Sequence, residues 1–229
     1  MSQNKTNFAV PLAFVGMMFF AIGFALGINS FLIPVLKGAL SLPSGVAYLL
    51  LAATFVPFLI FGYPASATIA KIGYKRTMAL SFLIFAVAFI LFVLSAKLEN
   101  FILFLIASFV SGAANAYLQA SVNPYITILG PIESAAKRMS IMGICNKLAW
   151  PVAPLFFALV VADQTNVQTS DLYLPFYIII GVFLLLGIIS LMAPLPEVKA
   201  AGEDESDTAN CPYAANKTSI WQFPHLVLG

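Results

Sequence analysis

The chain has 229 residues, 61% of them hydrophobic and only 9% charged, with a mean hydropathy of +0.98. Soluble domains carry roughly 25% charged residues, so this sequence cannot cover a water-facing surface and the bilayer is its main solvent. A soluble enzyme and a disordered tail are thereby excluded, and a net charge of +2, from 11 Lys and Arg against 9 Asp and Glu, leaves no footprint for a nucleic acid.

A membrane-crossing helix needs about 20 mostly apolar residues. Charge-free windows bounded by charged or turn-forming residues predict six spans, at about 8–36, 44–70, 77–96, 101–129, 139–162 and 172–192, and hence an all-α integral membrane protein. The first carries no charge between Lys5 and Lys37, far longer than the apolar core of a signal peptide, so it is expected to stay in the mature protein. Gly16, Gly23 and Gly27 precede Asn29, Ser30 and Pro34 in it. Proline removes a backbone donor and glycines loosen a helix, so a break is expected between Asn29 and Pro34. Broken helices at membrane depth present polar groups to substrates, which makes Asn29 a candidate site residue; close packing accounts for the glycines equally well.

Spans three and six are almost wholly Phe, Leu, Ile, Val and Ala and are expected to face lipid all round. In span four, Ser108, Ser111, Asn115, Gln119 and Asn123 recur at steps of three or four, which places them on one helical face. Such a stripe is costly in hydrocarbon unless it is paired or wetted. It reads either as a lined pathway or as interhelical hydrogen-bond glue. Span five contains Gly143, Asn146, Lys147, Trp150, Pro151 and Pro154. Lys147 is the only charge inside any span, and an intramembrane ammonium marks a functional position by default. Trp150, one turn beyond Asn146, suits a sugar, whose C–H face stacks on indole while amides serve its hydroxyls. The alternative is a structural Lys bonded across helices, or one paired with an acid elsewhere.

From 194 to 219 the composition turns acidic, with Glu197, Glu203, Asp204, Glu205 and Asp207, as in a solvated cytoplasmic linker. Residues 220–229 open a further apolar segment, where the chain stops, so the sequence reads as incomplete or as one half of something larger. Lys5, Lys71, Lys75, Arg76, Lys137, Arg138, Lys199 and Lys217 fall on one side of the spans, with only Lys37 and Lys97 on the other. The positive-inside rule then puts the N-terminus in the cytoplasm. Cys145 and Cys211 read as free thiols. No metal site or redox cofactor is expected from one His and two Cys.

Two stretches carry a resemblance. Residues 64–76, ending Lys71-Ile72-Gly73-Tyr74-Lys75-Arg76, resemble the basic turn between helices two and three of major facilitator transporters, which assigns Gly73, Lys75 and Arg76 to a conformational turn. Asn123-Pro124-Tyr125-Ile126-Thr127-Ile128-Leu129-Gly130-Pro131, with Arg138 and Asn146, resembles the fucose:proton symporter family, and Gln119 with the 131–147 stretch is closer to its glucose/galactose and N-acetylglucosamine permease branch. The resemblance covers nearly the whole chain. It implies the N-terminal six-helix half, residues 1–193, of a twelve-helix fold whose C-terminal six-helix half is missing.

It also implies a bacterial inner-membrane transporter that imports a neutral hexose by alternating access and cation symport. N-acetylglucosamine, L-fucose, and a passive facilitator or channel are alternatives. Asn29, Asn115, Gln119, Asn123 and Asn146 would bond hydroxyls, Trp150 would stack, and Lys147 would supply charge or coupling. The fucose branch has acids where Gln119 and Ser30 stand here, so coupling to H+ or Na+, an acid in the other half, and uncoupled transport all stay open.

Overall fold

A computed structural model of the chain describes residues 9–161 and 167–193. The predicted linker 194–219, the segment 220–229, Lys5 and Cys211 lie outside them. Every regular element described is helical: α1 (Ala9–Ala39), α2 (Ser44–Ala47), α3 (Leu49–Lys97), α4 (Phe101–Ile128), α5 (Ala135–Val160) and α6 (Tyr173–Met192), with short 3-10 turns before α5 and α6.

The break expected in α1 is absent, and Pro34 sits inside a continuous 31-residue helix. Proline at that position deprives only the carbonyl of Ser30 of its donor. Leu32 and Leu36 on either side are fully buried and hold the helix on course. Asn29 and Ser30 turn back onto their own helix, donating to the carbonyls of Ala25 and Leu26, each at 3.1 Å.

Among the described residues, five helical segments are long and apolar enough to cross a membrane. The count differs from the six windows because the second and third run together as α3. At 49 residues, α3 would extend about 74 Å if straight, more than twice the ~30 Å hydrocarbon thickness. Gly73 divides it, at φ 81° and ψ 168°, in a region open essentially to glycine alone. Gly73→Ala is expected to cost about 1–3 kcal/mol, seen as a lower melting midpoint in detergent. Gly62→Ala, on the same helix with open space around it, should leave the midpoint unchanged or raise it.

Asn100 starts α4 by accepting at Oδ1 from the backbone N–H groups of Ile102 and Leu103, at 2.9 and 3.3 Å. The second arm of α3, 74–97, packs between α4 and α6. Its Phe82, Phe85, Phe89 and Phe92 are fully buried. Phe85 meets Phe183 of α6 at 4.9 Å between centroids, and Phe92 meets Phe176 at 5.5 Å and Phe104 of α4 at 6.2 Å. Spans three and six therefore do not face lipid all round. Only one stripe of this arm, Leu83, Val87, Ile90 and Leu94, is exposed. Phe and Leu suit lipid and protein alike, so hydropathy does not distinguish the two faces.

α1 lies on α5. Gly16 faces Met142, Gly23 faces Asn146, Gly27 faces Trp150, and Phe31 stacks on Phe157 at 4.6 Å. The numbers rise together, so the two helices run parallel. A Cβ on Gly23 would lie 1.9 Å from the carbonyl oxygen of Asn146, so the two backbones touch.

Candidate functional site on α1, α4 and α5

Arg138 fixes the end of α4 against the start of α5. The residue is 8% exposed, and its guanidinium donates to the carbonyls of Ile126 at 3.1 Å, Thr127 at 3.0 Å and Pro131 at 2.8 Å, and to the Ser134 hydroxyl. Ile126 and Thr127 offer carbonyls that a helix C-terminus leaves without donors, and the charge complements the negative end of its dipole. The tight turn makes α4 antiparallel to α5, and hence to α1.

That direction sets the depth of the polar stripe. Asn29 on α1 donates to Ser111 on α4 at 3.4 Å, and both residues are fully buried. One turn along α4 brings Asn115 level with Ala25, and the next brings Gln119 level with Ala21. Asn146 on α5 donates to the carbonyl of Phe19 at 3.1 Å and abuts Gly23, so Gln119 and Asn146 share one depth on helices either side of α1.

The predicted site residues do not all have the same surroundings. Asn29, Asn115, Ser108 and Ser111 are sealed between helices, while Gln119, Asn123 and Asn146 are half-buried. Gln119 donates to Asn115 Oδ1 at 3.4 Å. Asn29 Oδ1, Asn115 Nδ2 and Ser108 Oγ are buried without a hydrogen-bond partner. Unpaired buried polar atoms are expensive, and here three of them lie along one α1–α4 seam. Trp150 is 38% exposed, and Lys147 Nζ stands 4.9 Å from its ring centroid. Ser30 lies apart, lining a pocket with Pro34, Lys37 and Tyr48. Lys75 is half-buried and Arg76 exposed beside Gly73, whose carbonyl accepts from the Thr77 hydroxyl at 2.8 Å. Among the described residues no cluster of His, Cys, Asp and Glu could hold a metal ion.

Sequence reasoning gave Arg138 no role beyond its motif, and left Ser111 in the stripe without its partner. Only the 3–4 residue spacing pointed to Ser111; nothing local pointed to the targets of Arg138.

Residues 14–227 match the Major Facilitator Superfamily. The chain belongs to that superfamily. A glucose/galactose transporter of Brucella abortus is 31% identical over the whole chain and 55% of its own length. The L-fucose-proton symporter of Escherichia coli K12 is 22% identical over 97% of the chain and 55% of its own. The crystal structure of FucP, a major facilitator transporter, in an outward conformation superposes with a TM-score of 0.70 at 22% identity, covering 89% of this chain and 55% of that one. The chain therefore spans about half the length of the curated relatives it matches. Its apolar helices match the N-terminal half of the major facilitator fold, it is a multi-pass membrane protein, and its superfamily is one of transporters rather than enzymes.

Proposed function

We propose that the chain is the N-terminal six-crossing half, about residues 1–193, of a secondary transporter that imports a neutral hexose by cation symport and alternating access. The observation that carries this reading is the seam of amides along α1 and α4: Asn29 and Asn115 with unpaired buried atoms, running on to half-buried Gln119 and Asn123, with Asn146 at the depth of Gln119. Amides offer donors and acceptors together, as sugar hydroxyls do. The names of the Brucella and Escherichia relatives agree with a sugar.

Trp150 would offer its ring and Lys147 the charge of the site. The turn at Gly73, Lys75 and Arg76 would flex as access alternates. Sugar binding drives that change only through unequal affinity for the two states. Counting the two arms of α3 separately supports six crossings. Lys71, Lys75, Arg76, Lys137 and Arg138 lie toward one end of the bundle, and Lys37 and Lys97 toward the other. The positive-inside rule then supports a cytoplasmic N-terminus in a bacterial inner membrane. The linker 194–219 would lead to a seventh helix, and a second six-helix half would complete the cavity.

The test is uptake of labelled glucose, galactose, N-acetylglucosamine and fucose by cells expressing the full-length gene, with a protonophore or without sodium. One hexose should accumulate and collapse under one treatment; accumulation of none, with the protein in the membrane, refutes the reading. A passive facilitator is the second reading, favoured by the three described carboxylates, Glu99, Glu133 and Asp171, all lying outside the long helices. It predicts equilibration without accumulation. Gln119→Ala should raise the KM for sugar at least about tenfold, or about 1.4 kcal/mol, with membrane insertion intact; an unchanged KM removes the α4 stripe from the site.

A further inference from the structure

α5 divides into three stripes roughly 120° apart, at the 100° per residue of a helix. Met142, Ala149, Ala153 and Phe157 are buried, on the side facing α1. Ile144, Leu148, Val152, Leu155 and Leu159 are exposed and wholly aliphatic, a surface made for lipid. The third stripe is also exposed but has another composition: Gly143, Lys147, Trp150, Pro151 and Pro154. Lys147 stands 12 residues from the start of α5 and 13 from its end, near mid-helix, beyond the reach of a side chain snorkelling to the interface. Its partner among the described residues is the Trp150 ring, at 4.9 Å. A cation–π contact spreads the ammonium charge without cancelling it. Glu99, Glu133 and Asp171 lie in the connections, so no described carboxylate shares its depth.

We propose that the third stripe of α5 is a protein interface, and that Lys147, resting on Trp150, receives a carboxylate side chain from the polypeptide that covers it. The charge of Lys147 stands at mid-helix whether or not a solute is passing, and intramembrane charges pair with a partner or face a water-filled cavity. A resident carboxylate supplies that partner in every state, and lipid does not. The relatives are nearly twice as long as this chain, and their remaining length is the occupant that fits. The inference rests on the two-half reading of the fold but not on the identity of the substrate.

The experiment uses the full-length gene product with Lys147→Leu, Lys147→Arg and Lys147→Gln. Lys147→Arg, which keeps the charge, should hold folded yield within about twofold of the parent. Lys147→Leu, which a lipid-facing position would welcome, should lose tenfold or more in folded yield. Changing each intramembrane Asp or Glu of the remaining polypeptide to its amide, in the Lys147→Gln background, should find one change that restores what was lost. Lys147→Leu equal to the parent overturns the proposal, and so does loss that no acid-to-amide change restores. Competition of glucuronate with uptake by the parent but not by Lys147→Gln overturns it too, because the charge then belongs to the solute. Failure of the two-half reading shows separately, as sugar uptake by the 229-residue chain expressed alone.

Discussion

Gly23→Ala is expected to cost upwards of about 3 kcal/mol, at the top of the range for overpacking, and to lower sugar uptake at least tenfold. The added methyl would stand 1.9 Å from the carbonyl oxygen of Asn146 and 3.1 Å from the Cβ of Ala149. The first is backbone in mid-helix and has no rotamer through which to yield, so α1 and α5 must part. Parting them stretches the bond from Asn146 to the carbonyl of Phe19 and shifts Asn146 relative to Gln119, so function falls together with stability. Gly181→Ala, on α6, is the matched control, because nothing lies within 4 Å of that position. Thermal melts in detergent and uptake in cells decide the matter; equal behaviour of the two variants would mean that the α1–α5 contact is looser than the close approach implies.

Arg138→Met is expected to cost about 3 kcal/mol, since bonds to a charged group contribute roughly 1.5–3 kcal/mol and several are lost together. Four hydrogen bonds are lost at once, and the carbonyls of Ile126 and Thr127 at the end of α4 lose the side-chain donor that satisfies them, while Pro131 keeps its bonds from Ser134. Gly130 shapes the turn at φ 111°, and a Cβ there would lie 3.4 Å from the guanidinium. Arg138→Lys should recover less than half of the loss, because a single ammonium cannot reach acceptors that a planar fork spans. Melting midpoints and the rate of protease cleavage between 129 and 135 would show it. If Lys matched Arg, charge alone would be at work and the fork geometry irrelevant.

Much of the site was legible in spacing. The α4 stripe follows from steps of three and four, and the structure keeps Ser108, Ser111 and Asn115 buried on one seam with Gln119 and Asn123 further along it. Lys147 stands out in sequence because every other charge lies in a connection or toward a helix end. The partners were not legible. Asn29 and Ser111 are 82 positions apart and Asn146 and Phe19 are 127 apart, and no local pattern encodes such pairings. The expected break in α1 failed for a related reason: the local effect of Pro34 is one lost bond, and buried neighbours outweigh it.

By itself the sequence determined that the chain lives in a bilayer, that its helices are long and apolar, and where its polar faces fall, because hydropathy and helical period are properties of the chain alone. Tertiary structure decided which apolar faces are core and which meet lipid, that α1 and α5 run parallel in backbone contact at Gly23, and that Arg138 closes α4. Each of these depends on which surfaces meet. In a membrane, where lipid and protein interior are equally apolar, composition cannot choose among them, and close approach and hydrogen-bond geometry do.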